Sequence, residues 1–302
     1  MDAENRSCYC GKFAPGHGGK GASRGVNVNH SQWSSELFAR EEQQFVGFVH
    51  ELIGCAFSVI QPLFLADIEV ERKLDATPVT AADRGAELAM RRLIEARYPT
   101  HGILGEEWGE RAGRRYRWVL DPVDGTKAFI SHCFLFGTLI ALERDDGEGF
   151  RPVLGAIAHA AAGLALIGHR GRTRLYRSDG SERDARVRAQ RPLAQATVLS
   201  TTLPGSKEQG AEPALGAILS QAALARTWGD CFGYFSLATG GADVMLDPVL
   251  SYWDVAAVVP VLEGAGASLS GWRGGNPLTE LSLVACSGPE LQREVLGRIL
   301  RD

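Results

Sequence analysis

The chain has 302 residues, an apolar content of 45%, a charged content of 23% and a formal net charge of -4. That length can bury a sizeable core as one large domain or two smaller ones. With Lys+Arg 32 against Asp+Glu 36 there is no electrostatic reason for a nucleic-acid partner, and no stretch reads as a membrane span, so a soluble, cytoplasmic protein is expected.

Residues 1–33 are rich in Gly, Ser and Asn, show no periodicity and read as a loose tail; they lack the basic opening and apolar core of a secretory signal. Cysteines stand at positions 8, 10, 55, 133, 231 and 286, and the last four lie in or beside apolar segments, as reduced core thiols do. Cys8 and Cys10, with His17 and His30, match no ordinary zinc spacing. After Ser34-Ser35 a helical period sets in, with Phe38, Phe45, Val49, Leu52 and Ile53 along one side and Pro62 at its end or a kink. Thr80 and Asp83 have capping-box spacing, which predicts a second helix from near Thr80 to just before Pro99.

GILGEEWG reads as a short strand running into a turn, and YRWVLDPVDGT as a strand broken by Pro122. The chain then turns to strands through LFGTLIAL and RPVLGAIAH, with ERDDGEGF as the hairpin connection. This half predicts two helices against an antiparallel sheet. A mixed α/β half follows: a strand at ATVLSTT, helices around 212–224 and at CFGYFSLATGG, a strand at DVML, the helix WDVAAVVPVLEGAGA, a strand at LSLVACS and a C-terminal helix. The expected organisation is a tail (1–33), an α+β subdomain (34–190) and an α/β subdomain (191–302), with no internal repeat.

The glycine signals carry no nucleotide site. GGKGAS has the wrong order for a phosphate loop and no strand before it. ATGGAD follows a helix and reads as its C-terminal turn, and no GxSxG elbow occurs. The acids are more informative. Asp83, Glu106, Asp121, Asp124, Asp247 and Asp254 each stand where an element begins or ends. Singly, each is ordinary capping or turn chemistry. Together, without His or Cys among them, they suit a hard, oxygen-seeking ion such as Mg2+. Asp121 and Asp124 make the strongest local case, because Gly125 allows close backbone approach and Thr126 offers a hydroxyl to orient a water. Adjacent metal and anion sites on one turn suit hydrolysis of a phosphate monoester.

PVTAAD (78–83), GEE (105–107), DPVDGT (121–126) and WDVAA (253–257) occur in the order found in the inositol monophosphatase family of Mg2+-dependent phosphatases, which the sequence resembles from about 40 to 300. TPVTAADR, ILGEEWG, WVLDPVDGTKAFI, TWGDCFGY and LATGGADVMLDPV resemble its histidinol-phosphate phosphatase branch most. The resemblance implies an α+β fold, a layered α-β-α-β-α sandwich of the inositol monophosphatase and fructose-bisphosphatase type, and a homodimer. It implies about two or three Mg2+ ions per site, with Mn2+ as a substitute. Glu106, Asp121 and the Val123 carbonyl would hold one ion, and Asp121, Asp124 and Asp254 a second. Glu106 and Thr126, the latter backed by Asp83, would orient and activate the attacking water, with no phosphoenzyme. The N–H groups of Gly125 and Thr126 would hold the phosphate, with Asp230 and Asp247 at the alcohol. L-Histidinol phosphate, in histidine biosynthesis, is then the leading substrate. Inositol monophosphate or a broad range of sugar and polyol phosphates is the alternative, with nucleotide 3'-phosphate and fructose bisphosphate behind it, and a non-catalytic metal-binding scaffold is the reading of another class. The sequence departs from the branch at His132, Cys133 and Phe134 and in the hairpin HAAAGLALIGHRG, near the pocket rim rather than at the ligands.

Overall fold

Residues 30–72, 78–203 and 213–301 are described in this computed structural model, with side chains from 44 onward. The predicted tail, the KLDAT stretch and the start of the helix expected near 212 lie wholly or largely outside them. The chain divides into Met1–Gln43 and Gln44–Asp302, and every element below except the start of the first helix belongs to the second unit.

Helix α1 (His30–Ile60) begins ahead of the expected start, since no Pro or Gly interrupts residues 30–46. It ends before a 3-10 turn, Gln61–Leu63, that contains Pro62. Contrary to the sequence reading, Gln44–Leu63 is long and apolar enough to cross a membrane by length and composition. The helix is nonetheless built into the core: Phe45, Phe48, Val49, Leu52 and Ala56 are buried, and Glu51 pairs with Arg97 outside. After strands β1 (Val70–Arg72) and β2 (Pro78–Thr80) comes α2 (Ala81–Arg97). Its cap is the predicted one: the Thr80 N–H donates to Asp83 Oδ2 at 2.8 Å, and the Ala82 N–H donates to Thr80 Oγ1 at 3.1 Å.

The strands β3 (Gly102–Gly105), β4 (Gly109–Arg111), β5 (Tyr116–Asp124), β6 (Gly137–Asp145), β7 (Phe150–His159), β8 (Leu164–His169), β9 (Arg172–Arg177) and β10 (Glu182–Asp184) form one sheet in the order β10-β9-β8-β7-β6-β5-β3-β4. It is antiparallel except between β3 and β5, because α2 precedes β3 and the β4 hairpin returns the chain to run beside it. Pro122 does not break β5. The strand continues to Asp124 with a register shift between Asp121, opposite Leu139, and Asp124, opposite Gly137. The extra residue is a bulge, where a residue without an N–H costs the ladder nothing. A short helix α3 (Thr126–Ile130) follows.

The second sheet, β12-β11-β13-β15-β14, comprises β11 (Thr197–Ser200), β12 (Leu224–Arg226), β13 (Val244–Asp247), β14 (Ser268–Ser270) and β15 (Leu283–Cys286). Its helices are α4 (Pro213–Gln221), shorter than the sequence suggested, α5 (Asp230–Ala238), α6 (Tyr252–Gly264), α7 (Pro277–Glu280) and α8 (Pro289–Ile299).

Side-chain alternation along the strands creates the layers. Trp118, Leu120, Ile140 and Leu142 pack with α1 and α2. Val119, Leu139 and Ala141 face the other way, onto Tyr234 of α5, Ala256 and Val258 of α6, and Met245 of the second sheet. Val198, Leu246 and Val284 fill the far side with Ile218 of α4 and Leu291 and Val295 of α8. The result is an α-β-α-β-α sandwich with α5 and α6 in the middle layer.

Candidate active site

The bulge at the end of β5 turns two carboxylates towards one point. Asp121 is 3% exposed, and its Oδ1 accepts the Val123 N–H at 3.1 Å. Asp124 accepts the N–H of Cys231 from α5. Asp254 arrives from α6, where its Oδ2 accepts the Ser251 N–H at 2.9 Å as part of a helix cap. One oxygen from each of Asp121, Asp124 and Asp254 lies within 4.8 Å of the other two. Glu106, anchored by its N–H to the Leu120 carbonyl at 3.2 Å, lines the same cleft. The cleft holds about 570 Å³ and also takes in Gly125, Thr126, Lys127, Thr201, Asp230 and Trp253.

The cluster gathers more carboxylates than the hydrogen bonds named above offset, and its charges raise one another's pKa. Burial pushes Asp121 well above the carboxylate range, and the charges of Glu106, Asp124 and Asp254 add to the shift. Asp124 rises through burial and then Asp230 and Asp254, against the Cys231 hydrogen bond. Burial lifts Asp254 to about 7, with the Ser251 N–H pulling the other way. Acids brought this close and partly desolvated either take up protons or hold a cation. The donor set is all oxygen and converging, which fits a hard divalent cation.

Gly125 adopts φ 82°, and a Cβ there would stand 2.9 Å from the Leu135 carbonyl oxygen and 3.2 Å from Asp230 Oδ2. Both the backbone and the close approach therefore require glycine. The turn delivers the Thr126 hydroxyl to 3.0 Å from the Val123 carbonyl and 3.2 Å from Asp83 Oδ1. One proton serves two acceptors, so it donates to one at a time. The other oxygen of Asp83 accepts the Thr80 hydroxyl at 2.6 Å. Burial raises Asp83, and the Thr80 and Thr126 hydrogen bonds oppose the shift.

Asp230 and Asp247 border an adjoining pocket of about 220 Å³. Asp230 opens α5 with φ 48°, its N–H donating to Thr201 Oγ1 at 2.9 Å. Burial lifts its carboxyl to about 6, and Lys127 holds it back. Asp247 lies deeper, 1% exposed. It accepts the Tyr234 hydroxyl at 2.6 Å and the Thr201 N–H at 3.1 Å, and burial lifts it to about 7. Thr201, Tyr234 and Ser251 escaped the sequence reading. Thr201 follows a strand, as Gly125 and Thr126 do, and Tyr234 is four residues after Asp230 on α5; those placements were the available signals.

The profile of the inositol monophosphatase family matches residues 41–302. The bifunctional phosphatase IMPL2, chloroplastic, of Arabidopsis thaliana is 36% identical over 87% of this chain and 75% of its own. The histidinol-phosphatase of Chlorobaculum parvum is 34% identical over 77% of this chain and 87% of its own. A solved inositol monophosphatase from Zymomonas mobilis superposes with a TM-score of 0.73 and 32% identity, covering 85% of this chain and 98% of that one. A carboxylate cluster at a strand-end bulge, in this layered fold and with these relatives, has one home: the chain belongs to the inositol monophosphatase family and is a phosphoric monoester hydrolase.

Proposed function

We propose that the chain is a Mg2+-dependent histidinol-phosphatase that converts L-histidinol phosphate and water into L-histidinol and phosphate. The observation that carries this reading is the acid surplus in the pocket beside the cleft: Asp230 and Asp247 lie there beyond the three clustered aspartates. A substrate whose alcohol portion bears a cationic amine and a partly protonated imidazole complements such a wall. The Chlorobaculum parvum relative, named for this activity, supports it over most of its length.

In this mechanism Glu106, Asp121 and the Val123 carbonyl would hold one cation, and Asp121, Asp124 and Asp254 would hold a second. When bound, these ions lower the pKa of water and neutralise charge on the transferring phosphoryl group and the leaving oxygen. The Thr126 hydroxyl donates its proton to Asp83, and the Thr126 oxygen accepts a hydrogen of the attacking water. Glu106 accepts the other hydrogen and takes up the proton as the new P–O bond forms. The ester P–O bond breaks in line, and the leaving alkoxide is protonated from solvent. The N–H groups of Gly125 and Thr126 hold the phosphate oxygens. The reading includes a homodimer, which sedimentation equilibrium tests.

Inositol monophosphate is the second reading, supported by the Zymomonas mobilis structure. The discriminating experiment is Mg2+-dependent phosphate release from L-histidinol phosphate, inositol monophosphate, a sugar phosphate, a nucleotide 3'-phosphate and fructose bisphosphate. A kcat/KM highest for L-histidinol phosphate, with Asp230→Asn lowering that preference about 10-fold, is expected. A higher kcat/KM for inositol monophosphate, or a preference unchanged by Asp230→Asn, overturns the assignment.

A further inference from the structure

Helix α2 carries two buried acids one turn apart, and they reach different halves of the catalytic machinery. Asp83 is 2% exposed and Glu87 0%. Residues four apart share one helix face, about 6 Å from each other. Asp83 meets the Thr126 hydroxyl at 3.2 Å. Glu87 meets the backbone on both sides of Glu106. It accepts the N–H groups of Glu107 at 2.8 Å and Trp108 at 3.2 Å. On the other side Gly105 lies flat against the same carboxylate, so that a Cβ there would stand 2.0 Å from Glu87 Oε1. Arg91, one turn further along α2, balances the charge with Nε at 2.7 Å from Glu87 and also donates to the Gly109 carbonyl. The turn from Gly105 to Gly109 is thus moulded around a single side chain. This accounts for the glycine in GEE, and what Glu87 holds of the second glutamate is its backbone N–H.

We propose that Glu87 is a positioning residue for the hydrolysis: with Asp83 on the same face of α2, it sets the distance between the Glu106 carboxylate and the Thr126 hydroxyl. The proposal rests on the reading of those two groups as the pair that holds the attacking water. A helix spaces the buried Asp83 and Glu87, and each reaches one member of the pair or its backbone by direct hydrogen bonds. A side chain that merely stapled helix to turn would affect stability alone. One that sets this spacing affects turnover and cation affinity while leaving the alcohol pocket, on α5 and β13, untouched.

The test compares Glu87→Gln with Gly105→Ala, which displaces the Glu87 carboxylate from the opposite side, each assayed well below its own melting temperature. Both are expected to lower kcat about 10-fold or more and to weaken Mg2+ binding by calorimetry by a similar factor. KM for L-histidinol phosphate at saturating Mg2+ should stay within about twofold. The double variant Asp83→Asn/Glu87→Gln should lose less than the product of the single losses, because both residues set one distance. Wild-type kcat and Mg2+ affinity in either single variant, whatever its melting temperature, overturn the proposal. Multiplicative losses in the double variant do so too. Thr126→Ala separates this from failure of the underlying reading: wild-type turnover in that variant overturns the water-holding role itself.

Discussion

Asp121 stands at the bulge near the end of β5, accepts the N–H of Val123 and has an oxygen within 4.8 Å of those of two other carboxylates. Its carboxyl is raised by burial and by its neighbours, so in the metal-free protein its ionisation opposes folding at pH values above its unfolded pKa. Asp121→Asn removes that opposition together with a ligand. Turnover should fall more than about 100-fold, while the melting temperature in chelator should rise and the gain on adding Mg2+ should shrink. Differential scanning calorimetry with and without Mg2+ checks both; a lower melting temperature in chelator contradicts the electrostatic account. At this scale the sequence was informative about residue type. It could rank Asp121 and Asp124 highly because Pro, Gly and Thr surround them. It could not rank Glu87, which sits in the middle of an amphipathic helix and looks like any solvated charge until Gly105 is found against it.

The element that matters most for assembling the cluster is α6, which brings Asp254 from more than a hundred residues away. Its first residue, Tyr252, donates its hydroxyl to Glu143 on β6, which is fully buried and also receives Arg117 Nε from β5 at 2.7 Å. The Arg117 guanidinium lies 5.8 Å from the Tyr252 ring centroid and 4.6 Å from that of Phe150. This set ties the start of α6 to the sheet that carries Asp121 and Asp124. Tyr252→Phe leaves the ring and removes one hydrogen bond to a buried charge, an expected loss of about 1.5–3 kcal/mol in urea unfolding. A loss under about 0.5 kcal/mol would show that the contact contributes nothing to the docking of α6. The helix itself was legible from its apolar run. Its anchoring was not, because Arg117, Glu143 and Tyr252 lie far apart in sequence and none belongs to a motif.

For the whole molecule, the aromatic core between α1 and the first sheet imposes a pH limit. His101 stacks on Tyr98 with ring centroids 4.7 Å apart, and its Nδ1 accepts the Trp118 indole N–H at 3.1 Å. Burial, with Arg115 nearby, lowers its pKa to about 4 from 6.5. A depressed folded-state pKa gives stability that is present above the unfolded value and is lost as pH falls from about 6.5 towards 4. The wild type should therefore lose melting temperature over that window more steeply than His101→Gln, which keeps an acceptor for Trp118 without titrating. Parallel melting curves against pH would refute the role given to His101.

The sequence by itself determined the local chemistry of this protein. Periodicity set its main helices and strands, Thr80 and Asp83 set a helix start, and four ordered motifs named the reaction class, because those features depend on residues within a few positions of each other. Tertiary structure decided the rest. It kept β5 intact through Pro122 as a bulge, with pairing to β6 resuming at Asp124 opposite Gly137, and it ran β3 parallel to β5. It also gathered acids from β5, α5, β13 and α6 around one cleft and its side pocket, and set Glu87 beneath the turn that carries Glu106. Burial and mutual distance give those carboxylates their shifted pKa values, and neither quantity exists until the layers have packed.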